Sequence, residues 1–199
     1  MMRLSKRILF LAVFISCISF PCRCGSMTGA GNARMAELMA EGIAAGEKAV
    51  ETVKTERISV VYRAVYEEAM RTNTAGSLDM MRKIIAELGK RGYAAVDSDN
   101  QVDMVNPELV LRFCEAVEDE ETAKLTVIVP ACLGSFVKYD FETEKGDVYI
   151  LRRYYQYENG HMQNRSTAVY SADAWQYTEE GYLLFEGSYY TADSYVLVC

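Results

Sequence analysis

Residues 137–146 read Val137-Lys138-Tyr139-Asp140-Phe141-Glu142-Thr143-Glu144-Lys145-Gly146, and they carry the clearest strand and turn signals of the chain. Apolar and charged side chains alternate over its first six residues, the pattern of a β-strand with one buried face and one solvated face. The last four residues are a hairpin turn signal. Further turn signals follow at Glu158-Asn159-Gly160 and at Thr178-Glu179-Glu180-Gly181. The pattern therefore predicts an antiparallel meander of five to seven strands over residues 135–199.

Upstream of the meander, apolar residues recur at helical spacing. One apolar stripe runs from Met35 to Val53, and a second runs from Ile58 to about Arg71. The stripes are interrupted near Arg57, so we expect either two helices or one bent helix in this part of the chain.

Capping residues mark two further helices. Ser77 is a suitable N-cap for the first, which Gly89 or Gly92 ends. The second begins at Asn106-Pro107-Glu108, where asparagine caps the helix, proline takes the first position and an acid follows. The predicted fold is therefore α+β, with about four N-terminal helices packed on one face of a C-terminal antiparallel β-meander.

The charge of the chain argues against nucleic-acid binding. The 199 residues are 50% hydrophobic, which suits one compact domain, and they carry a formal net charge of −7. Residues 1–26 contain four basic and no acidic side chains, so the remainder carries a net charge of −11. A surface of that sign repels phosphate backbones.

The first 26 residues predict export. Arg3, Lys6 and Arg7 precede an uncharged, mostly apolar run of 13 residues from Ile8 to Phe20. A basic start followed by a short apolar run is typical of a secretory signal peptide, and 13 residues fall short of the ~20 that span a bilayer.

The apolar run contains Phe14-Ile15-Ser16-Cys17, which looks like a bacterial lipobox. In a lipobox the cysteine is lipidated and becomes the new N-terminus. This interpretation favours a lipid anchor at Cys17, and the alternative is ordinary cleavage near Ser26. The protein would then contact the membrane through its N-terminal segment only.

The rest of the chain reads as a linker over residues 27–34 and one domain over residues 35–199. The helical part covers residues 35–122 and the β part covers residues 123–199. The last residues, 194–199, have the pattern of an apolar strand with no turn or polar tail after it. Because native chains usually finish with a few poorly ordered residues beyond the last strand, we expect the domain to be truncated at its C-terminus.

Two places carry residues suited to catalysis or metal binding, and we predict a site at neither. His161 is the only histidine and follows the Asn159-Gly160 turn, so an exposed turn residue explains it better than a catalytic base does. The loop from Asp97 to Asp103 has acids at positions 1, 3 and 7 of a calcium loop, but Val102 replaces the turn glycine. We predict no catalytic residue, no metal site and no cofactor.

Two groups of side chains remain candidates for a role after export. Aromatic residues are concentrated in the β part, and cross-strand packing explains most of them. The candidate ligand surface, for a glycan or a peptide, consists of Tyr154, Tyr155, Trp175 and Tyr177. The second group is the pair Cys114 and Cys132, which an oxidising compartment allows to form a disulfide.

Two stretches, together with the signal segment, carry a resemblance. They are Gly92-Tyr93-Ala94-Ala95-Val96-Asp97-Ser98-Asp99-Asn100-Gln101 and Thr178-Glu179-Glu180-Gly181-Tyr182-Leu183-Leu184-Phe185-Glu186. On these residues the chain resembles an uncharacterised family of exported bacterial lipoproteins with a domain of unknown function. The resemblance implies an envelope location, an α-then-β layout and no site residues. We predict a non-enzymatic, membrane-anchored envelope protein that binds an envelope or extracellular ligand or partner; the alternative is an extracellular hydrolase acting on glycan or peptide.

Overall fold

A computed structural model describes most of the chain downstream of residue 44. The described residues are 45–99, 101–131, 134–177, 182–187 and 194–198. Predictions about the signal segment and Cys17, about Cys132 and about the turn at 178–181 lie outside these residues. Within the described part, no helix is both long enough and apolar enough to cross a bilayer.

The fold is a mixed α+β arrangement, as predicted. The described residues form three helices and seven strands: α1 (Ala45–Arg71), α2 (Leu78–Lys90), β1 (Ala94–Ala95), α3 (Glu108–Glu118), β2 (Ala123–Ala131), β3 (Ser135–Glu144), β4 (Asp147–Glu158), β5 (His161–Tyr177), β6 (Tyr182–Gly187) and β7 (Ser194–Val198). Five of these strands lie within residues 135–199, where the meander was expected.

The described residues contain three helices rather than the expected four. Of the two alternatives near Arg57, two separate helices do not occur, because α1 is one continuous helix of 27 residues. Arg57 is exposed, while Ile58 and Val61 beside it are buried. A charged side chain on the solvent side interrupts the sequence pattern without interrupting the helix.

The capping predictions for α2 are confirmed. The Ser77 Oγ accepts a hydrogen bond of 3.2 Å from the Met80 backbone N–H. At the other end Gly92 has a φ of +82°, and its N–H donates to the Gly89 carbonyl at 2.9 Å. The Tyr93 N–H donates to the Leu88 carbonyl at 3.3 Å, which completes a Schellman motif with Gly92 as the left-handed residue.

The predicted N-cap of α3 is wrong. Asn106 precedes the helix, but its side chain does not cap it, and the capping position is Pro107. The Asn106 Nδ2 instead donates to the Gly89 carbonyl at 2.9 Å and to the Tyr93 carbonyl at 2.8 Å. The amide therefore satisfies a carbonyl at the C-terminal end of α2, where helical carbonyls lack intrahelical partners.

The sheet follows chain order from β1 to β7. Each neighbouring pair from β2 onward is antiparallel, which confirms the meander. Lys145-Gly146 and Asn159-Gly160 form two of its tight turns, and all four residues have positive φ as two-residue hairpin turns of this kind require. The sheet is not purely antiparallel, because β1 pairs with β2 in parallel, with Ala94 opposite Val127.

The helices pack on both faces of the sheet, so the expectation of a single covered face is wrong. One buried cluster joins α3 to Val127 and other residues of the sheet, and a second joins α1 and α2 to Ile128 and Phe136. Val127 and Ile128 are consecutive in β2, and consecutive side chains of a strand point to opposite faces. The short strand β1 divides in the same way, with Ala94 in the first cluster and Ala95 in the second.

The face of β3 that was expected to be solvated is partly buried. Lys138 is only 1% exposed, and its Nζ lies 2.8 Å from Asp140 Oδ2. Arg153 of β4 places its Nη1 3.1 Å from the same oxygen, and Thr126 Oγ1 donates to Asp140 Oδ1 at 2.7 Å. The charged half of the alternation therefore forms a buried ion cluster, which satisfies charges inside the protein rather than in water.

Candidate functional site

The structure separates the two adjacent tyrosines of the predicted ligand surface. Tyr155 is 3% exposed and stacks on Phe136, with ring centroids 4.8 Å apart, in the cluster beneath α1 and α2. Tyr154 points to the other face of the strand, where it is half-buried and its hydroxyl donates to Gln156 Oε1 at 3.3 Å. The pair therefore contributes to two different faces.

The other predicted site residues lie elsewhere. Trp175 is partly buried against the cluster beneath α3, and Tyr177 is the last residue of β5. Cys114 is buried on α3 in the same cluster. Since Cys132 lies outside the described residues, its disulfide with Cys114 stays a prediction, as does lipidation of Cys17.

The hairpin that carries His161 is held against α1. His161 is exposed at the start of β5, and the neighbouring Gly160 carbonyl accepts a hydrogen bond of 2.9 Å from Arg63 Nη2. The Tyr157 hydroxyl donates to Glu67 Oε1. Partial burial, followed by this hydrogen bond to a carboxylate, raises the pKa of the Tyr157 phenol. These contacts fasten the β4–β5 hairpin to the helix.

Asp97 organises its loop from within. Its side chain is buried, and its carboxylate accepts backbone N–H groups from Gln101 at 2.9 Å and Val102 at 2.8 Å. A third N–H, from Asp99, lies 3.2 Å from Oδ2. The acid that would begin a calcium loop is thus occupied by backbone donors. Among the described residues, no group of three or more His, Cys, Asp or Glu side chains is placed to hold a metal ion.

An open groove of about 350 Å³ lies between α3 and β2. Helix α3 lines it with Leu109, Arg112 and Phe113, strand β2 lines it with residues 123–126, and Gly92-Tyr93 also borders it. Its volume lies within the ~300–1,000 Å³ range of ligand sites in proteins. We call this feature the α3–β2 groove.

The groove exists because β1 is short. Strand β1 pairs with β2 only at Val127 and Ile128, so the described residues place no strand beside positions 123–126. Two hydrogen bonds show which backbone groups of β2 point away from β3. Val96 N–H donates to the Ile128 carbonyl, and Ser98 N–H donates to the Pro130 carbonyl. Backbone groups of successive residues point to alternate sides of a strand. Lys124 and Thr126 therefore direct their N–H and C=O groups toward the groove side.

The lining of the groove combines apolar and cationic side chains. Phe113 and Leu125 are buried and Leu109 is half-buried, whereas Arg112 and Lys124 are exposed. Arg112 Nε donates to the Glu108 backbone carbonyl at 3.3 Å, and within the described ranges Arg112 forms no ion pair with a carboxylate.

Lys124 is available to a ligand as well. Its Nζ lies 3.3 Å from Glu142 Oε2, but its side chain is 72% exposed. An exposed ion pair of this kind contributes about 0–1 kcal/mol. An anionic ligand can therefore displace Glu142 from Lys124 at small energetic cost.

Sequence reasoning missed this groove because its walls come from separate parts of the chain. One signal was available: Pro130 lies inside β2, and a proline within a strand indicates an edge, since it cannot donate to a ladder. The two residues of β1 are both alanine, which gives no strand signal at all.

The fold and the groove define a mixed α+β protein with a ligand-sized groove at the edge of its sheet. Comparison with known sequences adds the family. The chain belongs to DUF6070, a family of unknown function whose model matches residues 47–195. This confirms the expected domain of unknown function. No curated protein and no solved structure shows significant similarity to the chain.

Proposed function

We propose that the protein is a non-enzymatic binding protein that holds its partner in the α3–β2 groove. The observation that carries this proposal is the pairing of an apolar lining with two accessible cations, Arg112 and Lys124, in a chain of net charge −7. Apolar walls with a few polar groups that fix orientation are typical of ligand sites. The groove is locally positive although the chain as a whole is negative. This positive charge favours a partner that carries negative charge at the contact.

We further propose that the protein acts in the bacterial envelope as an exported lipoprotein. The basic residues before Ile8, the apolar run to Phe20 and the lipobox-like cysteine at position 17 support this proposal. Export would place the groove where it meets envelope or extracellular partners, with the N-terminal segment holding the protein at the membrane.

Fractionation tests the location. The full chain with a C-terminal tag is expressed beside Cys17→Ala and a matched control, Cys22→Ala. We expect the wild-type protein and the control in the membrane fraction and in the detergent phase, and Cys17→Ala in neither. A cytosolic wild-type protein contradicts export, and detergent partitioning that ignores Cys17→Ala contradicts the anchor at this residue.

Photo-crosslinking in cells tests the groove. The photoreactive residue p-benzoyl-phenylalanine replaces Arg112 at the groove or, as a control, the exposed Arg82 on α2. We expect an adduct from position 112 that is absent from position 82 and that is lost when Lys124→Glu reverses the second charge. Equal adducts from both positions, or none from position 112, contradict a binding role for the groove.

A further inference from the structure

We propose that the partner in the α3–β2 groove is an extended acidic peptide segment that adds to the open edge of β2 as a further strand. This inference rests on the proposed function and names the chemical class of its ligand. It follows from three features of the groove: the direction of the backbone groups of β2, the two faces that an added strand would present, and the position of the cations.

The open edge of β2 offers backbone partners to an added strand. Residues 123–126 span about 13 Å at a strand rise of about 3.3 Å per residue. Lys124 lies within this edge and directs its N–H and C=O away from β3. Its backbone points to the same side as every second residue of the strand, and the carbonyls of Ile128 and Pro130 accept bonds on that side from Val96 and Ser98. An extended peptide in the groove would hydrogen-bond to these groups, as in the recognition of peptides by strand addition.

The two faces of β2 set the sequence of the peptide. Leu125 lies in the cluster beneath α3, so side chains that an added strand points to this face would contact Leu109 and Phe113. Side chains at alternate positions would point to the opposite face, which is the face of Lys124. Acids at those positions would pair with Lys124, and an acid at the mouth of the groove would pair with Arg112. The peptide that fits alternates apolar and acidic residues.

Charge also distinguishes a peptide from a second copy of this chain. The strand at the other end of the sheet order is β7, so a second copy would offer Ser194-Tyr195-Val196-Leu197-Val198. The strand itself contains no acidic residue, so it has no acid at the positions that would face Lys124. An acidic partner segment uses both cations.

Fluorescence anisotropy with defined peptides tests the proposal on the full chain in dodecyl maltoside micelles. The probe is fluorescein-labelled Gly-Val-Glu-Val-Glu-Val-Gly-Glu, whose last glutamate falls on the α3 face as the acid for Arg112. Its counterpart carries lysine in place of each glutamate. We expect saturable binding of the acidic probe and at least about tenfold weaker binding of the basic one, since like charges at a contact are repelled. Equal binding of the two probes overturns the proposal.

Two substitutions at one position separate charge from strand pairing. Lys124→Ala removes the cation, and Lys124→Pro removes the cation together with the outward N–H. Pro130 occupies a position of the same parity, so the β2–β3 ladder does not use this donor. We expect Lys124→Pro to bind the acidic probe about fivefold more weakly than Lys124→Ala, the effect of one hydrogen bond. Arg112→Gln should weaken binding about threefold or more, and the control Arg82→Gln should leave it unchanged.

Two modified probes keep the test decisive if Lys124→Pro fails to fold. A methyl group on the nitrogen of the central valine removes the donor that faces β2 when the peptide runs parallel to β2, and a methyl group on the nitrogen of the first glutamate removes the donor that faces β2 when it runs antiparallel. If both methylated probes bind as tightly as the unmodified probe, strand addition is overturned. If Lys124→Pro changes the size of the protein from dimer to monomer, a second copy occupies the edge and the proposal is likewise overturned.

The outcome is distinguishable from that of the proposed function. If the position-112 adduct forms in cells while no acidic peptide binds, the groove binds another class of ligand and only the strand proposal fails. If neither occurs, both fail.

Discussion

The buried ion cluster on β3 and β4 supplies the sharpest stability prediction. Asp140→Asn keeps the size of the side chain and removes its charge, so Lys138 and Arg153 lose the carboxylate that they share. Lys138 Nζ and Arg153 Nη1 lie 2.8 and 3.1 Å from Asp140 Oδ2. At an effective dielectric constant of about 20, each contact represents about 5–6 kcal/mol of gross attraction, which offsets the desolvation of the charges.

Breaking a buried ion pair by removing one partner destabilises a protein by about 3–5 kcal/mol. Asp140 is 25% exposed, which favours the lower end of this range. We therefore expect Asp140→Asn to lower the free energy of unfolding by about 3 kcal/mol.

Lys138→Met provides the matched comparison. This variant removes the most deeply buried charge while Asp140 keeps Arg153 and Thr126 as partners. Because the desolvation of an ammonium group is removed as well, we expect a loss of about 1 kcal/mol or less. The double variant Lys138→Met/Asp140→Asn should be more stable than Asp140→Asn alone, since it carries one buried cation fewer.

Urea denaturation of the full chain in dodecyl maltoside, followed by far-ultraviolet circular dichroism, measures all four proteins. The sign of the coupling between positions 138 and 140 is more informative than either single value. A loss below about 1 kcal/mol for Asp140→Asn, or a double variant that is less stable than Asp140→Asn alone, would show that the shared carboxylate does not compensate the buried cations.

Three further predictions concern α1, α2 and the segment before α3. Burial raises the pKa of Tyr62 well above its usual value near 10, so the folded state resists ionisation that the unfolded state allows. The free energy of unfolding should therefore stay constant below the usual pKa near 10 and fall as the pH rises above it. In urea titrations between about pH 8 and about pH 11, the free energy of unfolding of Tyr62→Phe should fall less than that of the wild-type protein. Asn106→Ala removes the bonds to the Gly89 and Tyr93 carbonyls and places alanine at a φ of 55°, so urea titration should show a loss of about 2–3 kcal/mol. Gly89→Ala would bring a Cβ within 2.9 Å of Val105 Cγ2 and should lower the thermal midpoint despite alanine's helix propensity, while Val105→Ala in the same chain should restore part of the loss.

Local signals in the sequence predicted the elements that depend on neighbouring residues. The alternation in residues 137–142 and the glycines at 146 and 160 were enough to predict hairpins, because turn type and strand period are set within a few residues. The start of α2 at Ser77 and its end at Gly92 were predictable for the same reason.

The errors arose where distant segments meet. Asn106 has the residue type of an N-cap, but carbonyls of Gly89 and Tyr93 bind its amide instead. Lys138 lies in the charged half of the strand alternation, which predicts a side chain in water. In the structure its partner is the Asp140 carboxylate, and strand periodicity does not distinguish these two environments. The helices lie on two faces of the sheet, and the chain between α2 and α3 contributes to both faces through the consecutive residues Ala94 and Ala95. Alanine carries no strand signal, so the sequence does not predict this arrangement.

The candidate site was beyond sequence reasoning for a related reason. Aromatic composition drew attention to Tyr154 and Tyr155, whose neighbouring positions in β4 send them to opposite faces. The groove instead depends on where β1 stops pairing with β2, a length that neither sequence segment specifies.

Hydrogen exchange of the Lys124 backbone amide, resolved by nuclear magnetic resonance, measures whether a bound peptide pairs with the edge of β2. In the free protein the Lys124 amide should exchange fast and the Leu125 amide slowly, because only the latter faces β3. Saturation with the acidic peptide should slow exchange at Lys124 by about tenfold or more while Leu125 changes little. A Lys124 amide that is already protected in the free protein, or one that the bound peptide leaves unprotected, would contradict strand addition at the edge of β2.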